Sequence, residues 1–204
     1  MHIQLQNLGK RFNRDWIFRN IDFDIPSASK LSILGSNGSG KSTLLRIISG
    51  YFSVSEGSIN YSYQGVPVAI DEVYKKLSIA APYLDIPGLF TLEEAVEFHF
   101  KFKSPAAGLD VEQIIQNSGL APHRNKQIKH FSSGMKQRLR LSLAIMSDVP
   151  LVLLDEPSSN LDATAVQWYR DLVKEQCQDK TLIVCSNHEL REYDFCDKVL
   201  EIKR

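Results

Sequence analysis

A chain of 204 residues with 24 Lys plus Arg against 24 Asp plus Glu has room for one sizeable core and carries no broad field of either sign. That balance removes the basic surface a nucleic-acid binder needs, so nucleic acid is not expected as a partner. No uncharged apolar run approaches the ~20 residues of a membrane helix, and three cysteines, Cys177, Cys185 and Cys196, without C-x-x-C spacing read as reduced thiols of a cytosolic protein.

The opening "MHIQLQNLGKRF" alternates apolar and polar residues, which predicts a strand rather than a signal peptide. "IFRNIDFDIP" places Ile17, Ile21, Phe23 and Ile25 on alternate or near-alternate positions, a second strand of an antiparallel, half-buried sheet. Leu31 to Leu34 is a short apolar strand, and Leu44 to Ile48 can start a helix. In "GYFSVSEGSINYSY", Gly57 reads as a turn and Ser58 to Tyr63 as a strand. "LSIAAPYL" is a further short apolar run, ended by Pro82. Thr91 with Glu94 three residues on has the spacing of a capping box, and helices are expected from there to about Met146. "VPLVLLDEP" then gives an unalternating apolar run of the kind buried on both faces of a parallel sheet, "ATAVQWYRDLVKEQC" is a helix by period, and "KTLIVCSNHE" repeats the buried-strand pattern. Strands alternating with helices predict an α/β fold with a mostly parallel sheet, an N-terminal antiparallel β subdomain and an inserted α-helical subdomain, from about 84 to 146, within one domain spanning 1–204. The end at "VLEIKR" is read as leaving no room for a regulatory domain.

Between the third strand and its helix stands Gly35-Ser36-Asn37-Gly38-Ser39-Gly40-Lys41-Ser42-Thr43, which fits G-x-x-x-x-G-K-[ST] in the strand-loop-helix context that motif demands. Glycines let such a loop curl so that successive N–H groups point at phosphate oxygens, and the following helix adds its positive end. Lys41 is then expected on the β- and γ-phosphates of ATP, and Ser42 on Mg²⁺. Asp155, at the end of a buried parallel strand, is expected beside the loop as the other Mg²⁺ group, and Glu156 as the acceptor of a proton from the attacking water.

Two further stretches narrow the choice among nucleotide hydrolases. "FSSGMKQRLRLSLA" resembles the signature motif of the ABC ATPases, and "DEPSSNLD" their joined Walker B and D-loop; the resemblance, to the nucleotide-binding domains of ABC transporters with their P-loop NTPase core, runs over nearly the whole chain. It implies that Ser132, Ser133 and Gly134 meet the ATP of a second subunit, in a head-to-tail dimer holding two ATPs; one chain carries a full set of half-sites, so a homodimer is the simpler expectation and a heterodimer the alternative. It further implies that Asp162 is the D-loop aspartate at the seam, although the same acid could simply start the next helix. Phe12 falls where the family stacks an aromatic on adenine, with Trp16 as the substitute and a core phenylalanine as the plain reading.

Three positions depart from the family pattern. Ser133 stands where the signature usually has glycine, which removes backbone freedom. The glutamine that normally precedes the Thr91 helix falls on Pro82, with Ala81 and Tyr83 as neighbours; Gln64 lies far upstream in a strand or turn. The switch histidine is either His188 or, by the strand count, displaced by Asn187, which can hydrogen-bond a phosphate but cannot carry a proton near neutral pH. His2, His99, His123 and His130 have no metal-ligand spacing and read as surface or loop residues.

The resemblance implies an ATPase subunit, cytoplasmic and peripheral on the cell membrane, that drives a separate membrane-spanning transporter subunit. A soluble ABC ATPase serving a cytosolic assembly, or a weakly active ATP-binding regulatory subunit, are the other readings. The family docks its membrane subunit near Tyr83 to Phe102; there Phe98, Phe100 and Phe102 read as core, and Phe90 as the interface candidate.

Overall fold

In the computed structural model, which describes residues 1–202, β1 (His2–Phe12) and β2 (Asp15–Ile25) form an antiparallel hairpin that sets Ile3 opposite Ile25 and Leu5 opposite Phe23. The last two residues of "VLEIKR" lie outside the described residues. After β3 (Lys30–Leu34) and α1 (Lys41–Ile48), β4 (Glu56–Tyr63) returns to pair with β1, and β5 (Val66–Val68) closes a four-stranded sheet of order β2-β1-β4-β5. Gly57 differs from its expected place: it lies inside β4 with φ 75°, beside the register shift between Gln6 and Gly9. A Cβ there would stand 2.2 Å from the carbonyl oxygens of Gln6 and Asn7, so glycine serves a close backbone approach at a bulge and not a turn.

β6 (Leu77–Ala80) leads into the helical insertion, α2 (Leu92–Phe100), α3 (Val111–Asn117) and α4 (Ser133–Ile145), and the chain then re-enters the sheet as β7 (Leu151–Asp155). Thr91 does cap α2: its hydroxyl accepts from the Glu94 N–H at 3.3 Å while Glu94 accepts from the Thr91 N–H at 2.8 Å. Asp110 and Gln113 form a second capping box on α3. Then α5 (Ala163–Gln176), β8 (Thr181–Ser186) and β9 (Lys198–Glu201) complete a five-stranded sheet of order β6-β7-β8-β3-β9, parallel at every pairing.

The two central runs explain their own lack of alternation. Leu151, Leu153, Ile183 and Cys185 enter the core shared with α1 and the antiparallel sheet, whereas Val152, Leu154, Leu182 and Val184 enter the core under α2 to α5. Each such side chain contributes about 1.5–3 kcal/mol on burial, and both faces need apolar residues because both are covered. The aromatics of α2 depart from expectation. Phe98 is 43% and Phe102 73% exposed, their rings 5.2 Å apart in edge contact, and Phe90 joins the ladder while packing partly on the core with Phe100. Phe102 lies two residues past the end of α2, and it meets Phe98 on the exposed side and not in the core.

Parallel registry decides where the site falls. Leu34 is level with Ser186, and Asp155 with Cys185, so the residues that follow β3, β7 and β8 emerge at one edge of the sheet.

Candidate active site

The phosphate loop opens on the end of β3 and feeds α1, whose N-cap is Gly40 at φ 108°, with no side-chain cap and no acid in the first turn. The amide groups at that end are left free for an anion. A Cβ on Gly40 would stand 2.6 Å from the Ile17 side chain, so β2 presses directly on the loop and only glycine fits. Lys41 is 5% exposed and folds back, its Nζ donating to the carbonyls of Gly35 at 2.7 Å and Ser36 at 3.0 Å. No carboxylate is within ion-pair distance of it among the described residues. A buried ammonium held by carbonyls alone is a place for an anionic ligand. Ser36, Asn37 and Gly38 form the exposed arch of the loop, Ser39 is buried beneath it, and Ser42 and Thr43 are half-buried in the first turn of α1.

Asp155 ends β7 at 2% exposure, and its Oδ1 has no hydrogen-bond partner. Burial pushes its carboxyl above the usual range, the neighbouring Ser42 hydroxyl pulls it back, and the charge of Glu156 adds to the rise. A buried carboxylate oxygen without a donor, beside a hydroxyl, is the hard-oxygen environment that suits Mg²⁺. Glu156 turns out of the strand at φ 46°, its N–H donating to the Cys185 carbonyl at 3.0 Å. A glutamate in the left-handed region is strained, and its carboxylate accepts from the Ser159 hydroxyl at 3.4 Å.

The signature stretch stands apart from this cluster. Ser132 caps α4, accepting from the Met135 N–H at 3.2 Å, and both Ser132 and Ser133 are exposed. A Cβ on Gly134 would lie 2.8 Å from the Asn160 carbonyl, so this glycine lets the loop after Glu156 come close. Asp162 is exposed and caps α5, accepting from the Ala165 N–H at 2.8 Å. Of its two readings, the helix-starting acid is what the single chain displays. Phe12 is 41% exposed at the hairpin tip, with one edge against Phe52 and the Lys10 ammonium 4.9 Å from its ring, so it is not a core residue. Trp16 is covered by the Arg19 guanidinium at 4.2 Å. Asn187 and His188 are both exposed just beyond β8, whose last residue Ser186 is level with Leu34, and His188 has φ 61°. Pro82 is exposed, and Gln64 sits in the β4–β5 turn at φ 54°. His99 departs from the surface reading: it is half-buried on α2 and bonded to Ser147 at 3.0 Å.

Sequence reasoning missed two buried polar residues. Gln137 of α4 donates to the Pro157 carbonyl at 3.0 Å and lies 3.4 Å from that of Glu156, joining the signature helix to the acids. Glu192, 3% exposed, accepts from the N–H of Ser158 at 2.9 Å and its hydroxyl at 2.7 Å, joining the loop after Glu156 to the segment after His188. Gln137 is polar on an otherwise apolar helix face, which was a legible hint; Glu192 gave none.

The sequence model described as ABC transporter matches residues 18–159. The chain belongs to the ABC transporter family. It is 29% identical over 99% of its length to the uncharacterized ABC transporter ATP-binding protein YdbJ of Bacillus subtilis, of which it spans 66%. To YybJ of the same organism, also an uncharacterized ABC transporter ATP-binding protein, it is 30% identical over 98% of its length and spans 92% of that protein. Its fold superposes on a dimeric, post-hydrolysis structure of the ATP-binding cassette MJ0796 bound to ADP and Pi with a TM-score of 0.83, at 24% identity, covering 98% of this chain and 94% of that one. This cassette is thus an ATP-binding component of the kind that energises transport. Among its described residues no helix is long and apolar enough to cross a membrane.

Proposed function

We propose that the cassette hydrolyses ATP to ADP and phosphate to drive a separate membrane-spanning transporter subunit, to which it attaches from the cytoplasmic side. The observation that carries this reading is the buried, half-unpartnered Asp155 beside Ser42, followed directly by Glu156. Lys41 and the free amides of α1 hold the β- and γ-phosphates, and Phe12 offers its exposed ring to the adenine. Ser42 and Asp155 hold Mg²⁺, which when bound neutralises charge on the phosphates. Glu156 accepts the proton of the attacking water, and Asn187 or His188, beyond the end of β8, contacts the γ-phosphate.

The signature supplies the other half. Exposed Ser132 and Ser133 and the amides of α4 face outward, where the ATP of a second copy would meet them, with Asp162 at the seam. MJ0796 is dimeric in its ADP- and Pi-bound structure, which supports the same arrangement here. Two copies closing head to tail on ATP and parting after hydrolysis give the stroke.

Purified chain with ATP and Mg²⁺ tests this. Wild type is expected to turn over, while Glu156→Gln loses about 10²-fold or more of that rate, as expected for removal of a general base, yet binds ATP and runs as a dimer on sizing. Equal turnover in the two proteins sinks the assignment of Glu156, and a monomer at saturating ATP sinks the dimer. Recovery of a polytopic membrane protein at near-equal amount with tagged Glu156→Gln tests the transport coupling; soluble partners alone, with membranes well extracted, would favour a cytosolic assembly motor.

A further inference from the structure

Asn37 is the only asparagine of the chain that is followed by glycine, and it stands in the exposed arch of the phosphate loop. That arch is anchored at its feet. The Ser36 carbonyl accepts from the Ser39 N–H at 3.1 Å and from Lys41 Nζ at 3.0 Å, and Ser39 is buried, so Asn37 and Gly38 form the corners of a tight turn. Gly38 is at φ 78°, and nothing lies within 4 Å of where its Cβ would stand. Among the described residues neither the Asn37 side-chain amide nor the Gly38 N–H has a hydrogen-bond partner. Asn117 and Asn160 differ on these counts. The nitrogen after Asn117 is that of Ser118, which donates to the Ile114 carbonyl at 2.9 Å, and the nitrogen after Asn160 is that of Leu161, which donates to the Ser158 carbonyl at 3.0 Å. Each of those nitrogens also has a Cβ beside it.

We propose that Asn37 is a site of covalent self-modification, where the chain loses a side-chain amide unless nucleotide is bound. The part played by nucleotide rests on the reading of residues 35 to 43 as the phosphate site. The nucleophile is the Gly38 nitrogen, unbonded and unshielded by a side chain. It forms a bond to Asn37 Cγ, the Cγ–Nδ2 bond breaks, and the proton of the Gly38 nitrogen leaves with ammonia, which gives a cyclic imide. Water then opens the ring. Addition at Cγ gives an aspartyl residue, and addition at the backbone carbonyl carbon of residue 37 gives an isoaspartyl residue, whose main chain runs through the side-chain carbons. Either product sets a carboxylate among N–H groups suited to phosphate, and the isoaspartyl form also lengthens the loop by a methylene between Gly35 and Lys41. Bound nucleotide opposes the first step, because phosphate oxygens on the loop N–H groups hold the turn fixed.

The test incubates the full chain in mildly alkaline buffer, alone or with a non-hydrolysable ATP analogue and Mg²⁺, and follows each asparagine by peptide mass spectrometry. In the chain alone, the peptide holding residue 37 is expected to lose its amide while those holding Asn117 and Asn160 keep theirs. With analogue at about 100 times its dissociation constant, about one loop in 10² is free, so conversion should slow by up to about 10²-fold. ATP turnover of the wild type should fall in step with amide loss. Asn37→Gln, which would have to close a larger ring, should hold its own starting turnover through the same incubation. Asn37→Asp, which installs the aspartyl product outright, is expected to weaken ATP binding about fivefold or more, the effect of one like charge ~4 Å from a phosphate in water. Retention of the residue 37 amide in the native chain, under conditions where the urea-unfolded chain loses it, overturns the proposal. So does an equal decline of turnover in Asn37→Gln. Amide loss that the bound analogue does not slow overturns the protection by nucleotide, and with it the reading of residues 35 to 43 as the phosphate site.

Discussion

Around the phosphate loop, Ser39, Lys41 and Asp155 are all 5% exposed or less, whereas Ser132, Ser133, Asp162, Asn187 and His188 are all on the surface. The first group is held by one chain's own constraints: the press of β2 on Gly40, two carbonyls on Lys41, the burial of β7. In the second group Ser132 and Asp162 are held as caps on α4 and α5, but no described residue covers any of the five. One half of the site is thus finished on folding, and in the proposed two-copy arrangement the other is finished by association. Gln137 and Glu192 are the mechanical links between them, since each joins the Glu156–Ser158 stretch to an exposed element.

The difference can be broken from either side. Lys41→Ala removes the one buried cation of the finished half and is expected to cost about 10³-fold in turnover, the scale of a lost charge clamp on a transferring phosphoryl group; a steady-state phosphate-release assay checks it, and a loss under tenfold would move the clamp elsewhere. Ser133→Glu attacks the unfinished half. A carboxylate at the start of α4 repels the partner's phosphate, so ATP-dependent dimerisation in the Glu156→Gln background should weaken about 10²-fold while ATP affinity of the monomer stays within about twofold. Should both quantities fall together, Ser133 belongs to the same site as Lys41 and the two-copy arrangement is wrong.

The finished half was also the legible one. Residues 35 to 43 and Asp155-Glu156 are local runs whose spacing is the chemistry, and the parallel strands announced themselves because burial on both faces leaves no alternation. Thr91 and Glu94 were readable for the same reason, a cap being a contact three residues long. What failed needed a direction or a partner distant in sequence. Gly57 is spelled the same way at a bulge as at a turn. Phe98 and Phe102 have the four-residue spacing of a helix face whether or not the helix reaches that far or the face meets the core. β5 and β9, of three and four residues, are too short to carry a period. The bonds of Gln137 and Glu192 span 20 and 34 residues, and the stack of Tyr83 on Arg46 belongs to two elements that no spacing connects.

Asn187 and His188 sharpen the comparison at its boundary, because they leave a buried strand of the finished half and end exposed. If His188 is the switch, His188→Ala should lower turnover about 10- to 10²-fold, the reach of one proton-transferring or phosphate-contacting group, with ATP binding intact. Near-wild-type turnover would transfer the role to Asn187, and Asn187→Ala should then carry the loss.

The smallest effect separates the halves by acid rather than by mutation. His99 of α2 has its pKa lowered to about 4, first by burial and then by the charge of Lys103, against a weaker opposing pull from the Leu143 carbonyl. Ser147 spends its proton on that carbonyl at 2.6 Å, so the 3.0 Å contact with His99 requires Nε2 to be the donor, and the lowered pKa keeps the ring neutral near pH 7. The unfolded chain, with an ordinary imidazole near 6.5, binds the proton first as pH falls. Neutral His99 therefore contributes its full stability above pH 6.5 and loses it progressively down to about 4. His99→Gln can still donate to Ser147 but does not titrate. The gap between its unfolding free energy and that of wild type should be flat above pH 6.5 and shift by about 2–3 kcal/mol toward the variant by pH 4. A gap that stays flat through that range would mean that the helical insertion opens to water around α2, and that its packing on the parallel sheet is looser than the sealed edge around Lys41.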